Sequence, residues 1–211
     1  FCCLLLIACR EGRQVPQRPN ILWIVSEDNS PWLGSYGDKL ATTPRLDALA
    51  AESIRYTRAY SNAPVCAPSR AALITGAYPI AFGTEHMRSG FKIPEVIHFY
   101  PSFLREAGYY TSNNHKKDYN TVDQVDAWDE SSREANYRNR TEGQPFFHIA
   151  NLHVTHESSL HKGSTAERHD PSEVQLAPYH PDTSEARNDY AVYYDRLEDL
   201  DTEIGEILEQ L

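Results

Sequence analysis

Two short apolar runs constrain this chain more than any other feature. Ile21-Leu22-Trp23-Ile24-Val25 is continuous, rich in β-branched and aromatic residues, and set between Pro19-Asn20 and Ser26-Glu27-Asp28-Asn29. Pro145 to Leu152 reads PFFHIANL and is followed by His153-Val154-Thr155-His156. Both are too short for a packed helix and lack the alternation of a half-solvated strand, so both read as strands buried on two faces, as in a parallel sheet. The first is expected to be a central strand. In such sheets ligands gather beyond the carboxyl ends of the strands, and each run meets ionisable side chains at that end.

Helix signals alternate with these strands. Thr43-Pro44 followed by Leu46, Leu49 and Ala50 predicts a helix with Thr at its N-cap and Pro in its first turn. Pro68 to Thr75 predicts a short helix stopped by Gly76, with Cys66 just ahead of its N-terminus. Pro101 to Ala107, with Gly108 behind it, predicts another, leading into a strand at Tyr109 to Thr111. Ile54 to Tyr60 alternates as a strand would. The polar stretch from His161 to Thr183, with Pro171, Pro178 and Pro181, reads as a surface loop. Ala191, Tyr194, Leu197, Leu200, Ile204, Leu208 and Leu211 then recur at steps of three and four, the stripe of an amphipathic helix. Strands alternating with helices imply an α/β sandwich of three layers. There is no internal repeat.

The 211 residues carry a formal charge of -10. Such a field repels nucleic acid, and no basic stripe with interleaved aromatics offsets it, so no nucleic-acid partner is expected. An anionic substrate needs local cations or a metal. Phe1 to Cys9 (FCCLLLIAC) is too short to span a bilayer and has the composition of a signal-peptide core. Leu6-Ile7-Ala8-Cys9 is similar to a bacterial lipobox, which makes Cys9 a candidate for lipidation and membrane attachment; a plainly cleaved signal peptide is the alternative. Residues 10–18 read as a linker and 19–211 as the folded portion. Export is therefore expected, to the bacterial periplasm or to a lipid-anchored state. Without an initiating Met and with a helix running to its end, the chain reads as part of a longer protein. Three of its four cysteines lie in the leader, so Cys66 stands alone in the body. It is either a buried apolar residue or a chemical group.

Cys66-Ala67-Pro68-Ser69-Arg70, continuing through Ala71-Ala72-Leu73-Ile74 to Thr75-Gly76, resembles the sulfatase motif C-x-P-S-R followed by an apolar residue and Thr-Gly. The resemblance covers residues 18–211 and implies an alkaline-phosphatase-like sandwich with a mostly parallel, mixed sheet whose C-terminal part lies outside this chain. It implies that a formylglycine-generating enzyme oxidises Cys66 to formylglycine, whose hydrated aldehyde attacks sulfur. Independently of the family, a nucleophile at a helix N-terminus meets the positive end of the dipole, and Arg70, four residues on, can return on the same face to hold an anionic oxygen.

The resemblance extends to other positions. Glu27-Asp28 resembles the family's Asp-Asp pair, which with the residue at Cys66 binds a divalent cation, usually Ca2+, with Mg2+ as the alternative for oxygen ligands. Glu27 departs from that pattern. Lys116 in His115-Lys116-Lys117-Asp118 matches the Lys of the family's Gly-Lys-x-His, which contacts sulfate; Asp118 stands where the family has His, and Lys117 or His115 is the available replacement. His153-Val154-Thr155-His156 resembles His-x-Pro-His with Thr155 for Pro, and His156 matches the residue that contacts sulfate and protonates the leaving group, with His153 a weaker candidate. His86 and Arg88, in Thr84-Glu85-His86-Met87-Arg88, are candidate substrate contacts by composition. Lys116-Lys117 and the tract from Pro178 to Arg187 are most similar to the sulfamidase branch, implying sulfated carbohydrate as substrate. Two alternatives stay open: a phosphonate monoester or phosphodiester hydrolase, and a catalytically dead glycan-binding lipoprotein. The remaining metal ligands of the family lie in an Asp-Asn-Gly or Asp-His-Gly segment that this chain does not contain, so these residues alone are expected to be inactive.

Overall fold

A computed structural model describes residues 18–160 and 164–211. The leader at 1–9, most of the linker and His161 to Gly163 lie outside the described residues. Four strands form one sheet: β1 (Ile21–Ser26), β2 (Tyr110–Asn114), β3 (Glu130–Ser132) and β4 (Phe146–Leu152), in the order β1-β4-β2-β3. Every pairing among them is parallel. β1 runs alongside β4 from Ile21 opposite Phe147 to Ser26 opposite Leu152. The strands therefore end on a common edge, and Glu27, His115 and His153 are the first residues past three of those ends.

The two-residue period of the strands feeds two cores, one on each face. Ile21, Trp23, Val25, Phe147 and Ile149 face Phe99, Tyr119, Trp128 and Ile74. Ile24 and Leu152 face Tyr190, Tyr194, Leu197 and Leu200. The first core is closed by α2 (Cys66–Thr75) and α3 (Pro101–Glu106); the second by α1 (Pro44–Ala51) and α4 (Ser184–Leu208). This is the expected three-layer sandwich. Among the described residues no helix is long and apolar enough to cross a membrane.

Several local expectations need correction. β4, with a strand on each side, is the central and fully buried strand; β1 has one neighbour and is half-buried throughout. Ile54 to Tyr60 forms no strand, because its alternation finds no sheet edge to pair with, and Ile54, Tyr56 and Tyr60 stay exposed. α2 includes Cys66 as its first residue, since Val65 is extended and its carbonyl accepts from Ser69 N at 3.0 Å. Gly76 stops this helix as expected, in left-handed backbone at φ 67°. β2 starts one residue later and runs three residues further than the sequence signal. Thr43 is the N-cap residue of α1, but its hydroxyl donates to the Asp47 carboxylate at 3.2 Å and accepts from no backbone N–H of the helix; Asp201 of α4 instead accepts from Arg45 N and Leu46 N, at 3.0 and 2.7 Å. α4 buries Ala191, Tyr194, Leu197, Leu200 and Ile204, whereas Leu211 lies past its end and is exposed.

Candidate active site

Glu27 is the hub of the common strand edge. Its side chain is 3% exposed, and Thr155 Oγ1 donates to its backbone carbonyl at 2.7 Å, which is what Thr155 supplies in the loop after β4. One carboxylate oxygen, Oε1, receives Arg70 Nη2 at 2.7 Å and Lys116 Nζ at 2.6 Å. The other, Oε2, lies 3.2 Å from His153 Nδ1 and 3.9 Å from His156 Nε2. Burial alone raises the pKa of Glu27, but hydrogen bonds and charge from Lys116 and Arg70 overcome it and hold the group at about 2. Glu27 is thus a permanent anion at working pH, and it gathers two cations, Arg70 and Lys116, and the imidazoles of His153 and His156 from three distant segments.

Arg70 is fixed from two sides. Its Nη1 donates to Asn151 Oδ1 at 2.7 Å, and Asn151 Nδ2 in turn donates to Asn113 Oδ1 at 3.1 Å and to Asn114 O at 2.7 Å. Asn151 is a site residue that the sequence reading missed. The available signal was a polar amide inside the apolar run FFHIANL, where burial demands a partner.

The two histidines differ. His156 Nδ1 accepts from Ser158 N at 3.2 Å, and because a backbone N–H can only donate, the neutral ring carries its proton on Nε2, on the side of Glu27. His153 sits closer, with Nδ1 toward Glu27 and Nε2 at 3.1 Å from His115 Nδ1. Burial lowers the His153 pKa against the raising effect of Glu27. His153 therefore has a direct place in the cluster, and His115 joins it through that ring.

A cleft of 330 Å³ lies between the strand edge and α2, lined by Glu27, Asp28, Asn29, Val65, Cys66 and Arg70 among others. Cys66 is half-buried in it. Burial, then the charge and hydrogen bond of Asp118, push its thiol up, while Lys116 and the Ala67 N–H work in the opposite direction. Asp118, the residue that departs from the family pattern, thus lies against the thiol and 3.9 Å from Lys116. Cys66, Arg70, Lys116 and His156 are brought to one place; His86 and Arg88 are not among them. His86 is exposed, 3.7 Å from Glu85, and Arg88 lines a neighbouring pocket with Asp118.

The residues present do not by themselves suit a calcium ion. Ca2+ takes roughly six to eight oxygen ligands. Here Glu27 is engaged by cations, and Asp28, in left-handed backbone at φ 52°, turns its Oδ2 to Glu157 N at 2.8 Å. Among the described residues no group of three or more His, Cys, Asp or Glu side chains is arranged to hold a metal.

Residues 19–211 match the family model described as sulfatase. An ulvan-active sulfatase of Formosa agariphila is 32% identical over a 272-residue alignment that takes in 100% of this chain and 46% of that protein. The chain therefore spans about half the length of that relative. Among solved structures, a 2-O GAG sulfatase superposes with a TM-score of 0.68 at 18% identity, over 90% of this chain and 54% of the other. A phosphonate monoester hydrolase of Agrobacterium radiobacter superposes with a TM-score of 0.72 at 15% identity, over 91% and 59%. The alkaline-phosphatase-like sandwich is the fold these structures share with the chain.

Proposed function

We infer, for a chain that belongs to the sulfatase family, that the whole protein is a sulfuric ester hydrolase of sulfated glycans, with position 66 as its nucleophile. The observation that carries this reading is the convergence of Arg70, Lys116 and His156 on the buried Glu27 carboxylate, beside Cys66. The sulfatase relative acts on ulvan by its name, which supports a glycan substrate. The narrower likeness to sulfamidases rests on Lys116-Lys117 and the 178–187 tract. In the structure that tract is occupied with capping α4: Thr183 Oγ1 accepts from Ala186 N at 3.2 Å, and Arg187 pairs with Asp182.

Matured to formylglycine, position 66 would supply a hydrated aldehyde, whose paired hydroxyls would serve as nucleophile and as the means of releasing sulfate. The side chains of this chain do the rest. Arg70, fixed by Glu27 and Asn151, presents its remaining N–H groups to anionic oxygens without reorganising. Lys116 adds a second positive charge, and its pairing with Glu27 keeps it in place. His156 holds a proton on Nε2, where a departing alkoxide would need it. Maturation calls for a formylglycine-generating enzyme as partner. A divalent cation, Ca2+ or Mg2+, would need oxygen ligands in addition to Glu27 and Asp28. Export, with or without a lipid on Cys9, accords with a polymeric substrate outside the cell.

The test uses the full-length protein, matured by a formylglycine-generating system, and compares a sulfate, a phosphate and a phosphonate ester of one phenol. Turnover of the sulfate with the highest kcat/KM is expected. Preference for either phosphorus ester would overturn the reading in favour of the phosphonate hydrolase alternative, and binding of sulfated glycan with no turnover would favour the dead binding protein.

A further inference from the structure

Three tyrosines of α4, Tyr190, Tyr193 and Tyr194, are buried in the second core. Their rings close around Trp32, at centroid distances of 4.9, 5.5 and 6.1 Å. Ring packing accounts for all three alike, and the hydroxyls tell them apart, because a buried hydroxyl needs a partner. Tyr190 Oη accepts from Ala177 N at 3.1 Å and lies 2.6 Å from His180 Nδ1. Tyr194 Oη donates to Asp38 Oδ2 at 2.8 Å. Tyr193 Oη alone of the three reaches the turn beside Glu27: it donates to Asp28 O at 3.4 Å and accepts from Ser30 N at 3.2 Å.

Those two bonds bracket the turn by which the chain leaves β1. Asp28 is in left-handed backbone at φ 52°, a region that Asp tolerates but does not prefer, and such a conformation persists where its surroundings enforce it. One hydroxyl joined to the carbonyl of residue 28 and the amide of residue 30 supplies that enforcement from α4. Thr155 Oγ1, donating to Glu27 O at 2.7 Å, supplies it from the loop after β4.

The turn has a consequence at the site. It aims Asp28 Oδ2 at Glu157 N, 2.8 Å away, and so ties the loop after β1 to the loop after β4. Glu27 precedes one end of that tie and His156 precedes the other. Their side chains, with His156 Nε2 3.9 Å from Glu27 Oε2, are therefore spaced by a series of bonds that begins at the Tyr193 hydroxyl.

We propose that Tyr193 is a positioning residue of this site. Through its hydroxyl it sets the turn at Asp28, and through that turn it holds His156, the proton donor to the leaving group, in place beside Glu27 and the cations Glu27 gathers. Tyr193 acts on the alignment of the reacting groups and not on affinity, since it reaches them only through the Asp28 turn. The part given to His156 rests on the sulfatase reading, and the test separates the two.

Tyr193→Phe is compared with Tyr190→Phe in the full-length protein. Each variant removes one hydroxyl from a ring 8% exposed on the same helix, but the Tyr190 hydroxyl is spent on Ala177 and His180. Hydrogen exchange, which needs no activity, is expected to quicken in the 153–160 segment of Tyr193→Phe and in the 177–180 segment of Tyr190→Phe, each variant leaving the other segment as in the wild type. Turnover is then counted per folded molecule of matured enzyme on phenyl sulfate and nitrophenyl sulfate. Tyr193→Phe is expected to lower kcat by roughly tenfold with KM within about twofold of wild type. The loss should be larger on phenyl sulfate, whose leaving oxygen is the more basic and leans harder on the His156 proton. Tyr190→Phe should keep both kcat and the ratio between the esters. Unaltered exchange at 153–160 in Tyr193→Phe overturns the proposal, as does a loss of kcat that is equal for the two esters or is matched by Tyr190→Phe. No turnover of either ester by the wild type defeats the sulfatase reading, while the exchange data still decide whether Tyr193 sets the Asp28 turn.

Discussion

Glu27 and Asp195 are buried to the same degree, at 5% and 4% exposure, and each draws an Arg and a His. Their partners differ in origin. Asp195, on α4, accepts from the backbone N–H groups of Glu167, Arg168 and His169 at 2.7, 3.3 and 3.1 Å, and from the His169 ring at 2.7 Å. One continuous segment is pinned to one helix. Glu27 instead binds side-chain tips from α2, from the loop after β2 and from the loop after β4, and those tips border an open cleft. Both carboxyls are held below their usual range against the effect of burial, so a depressed pKa alone does not separate them. What separates them is whether the compensating groups are amides spent on closing a loop or cations that retain donors for a ligand.

The largest effect that sharpens this contrast comes from the residue beside the Glu27 cluster. Cys66→Ala in the full-length matured protein is expected to lower aryl sulfate turnover by roughly a thousandfold or more, with little change in thermal midpoint. A residual rate within about tenfold of wild type would remove position 66 from the chemistry.

Glu27→Gln should strike both function and stability. It leaves Arg70 and Lys116, with side chains 8% and 17% exposed, without their counter-charge, a loss of about 3–5 kcal/mol by chemical denaturation together with loss of turnover. Unchanged stability would mean that the cluster is not assembled around this carboxylate.

A third buried ionisable group tests the role of pH apart from either carboxylate. His148 on β4 lies 2.8 Å from Ser112 Oγ, and burial lowers its pKa from 6.5 to about 4. Because the unfolded chain takes up this proton below 6.5 and the folded one only near 4, His148 favours the folded state fully above 6.5. That contribution, on the order of 3 kcal/mol, is lost as pH falls between those values. In His148→Gln this part of the pH dependence should vanish. If denaturation midpoints of the two proteins fall in parallel across the interval, the assignment is wrong.

Asp195→Asn is expected to have the smallest effect, about 2 kcal/mol of stability, with turnover per folded molecule unchanged. A drop in turnover larger than the folded fraction explains would erase the distinction between the two carboxylates.

The sequence made those elements legible that carry a period or a punctuation mark: the apolar runs of β1 and β4, the Gly76 stop of α2, and the stripe of α4. It hid β3, whose Glu-Ser-Ser has no apolar pattern and is set by its register beside β2, with Tyr110 OH donating to Glu130 Oε2 at 2.9 Å. In the same way, the 161–183 tract read as plain surface because nothing local reveals that Asp195 draws His169 inward or that Val174 packs into the core against α4. At the site, Cys66, Arg70, Lys116 and His156 were legible from contiguous motifs. Asn151 and the approach of His115 to His153 were not, since both depend on which strand ends the parallel register sets side by side. Of the adjacent carboxylates, Glu27 is the one at the centre of the cluster, because the chain turns into left-handed backbone at Asp28 and carries that side chain toward Glu157.

The central claim is that position 66 carries the nucleophile and that the Glu27 cluster serves it. Mass spectrometry of the tryptic peptide Ala59 to Arg70 (AYSNAPVCAPSR) from full-length protein, co-expressed with a formylglycine-generating system, tests it most directly. An aldehyde at Cys66 is the expected result. An intact thiol there, with the same system converting a control sulfatase, would contradict the account and leave a binding protein without the chemistry.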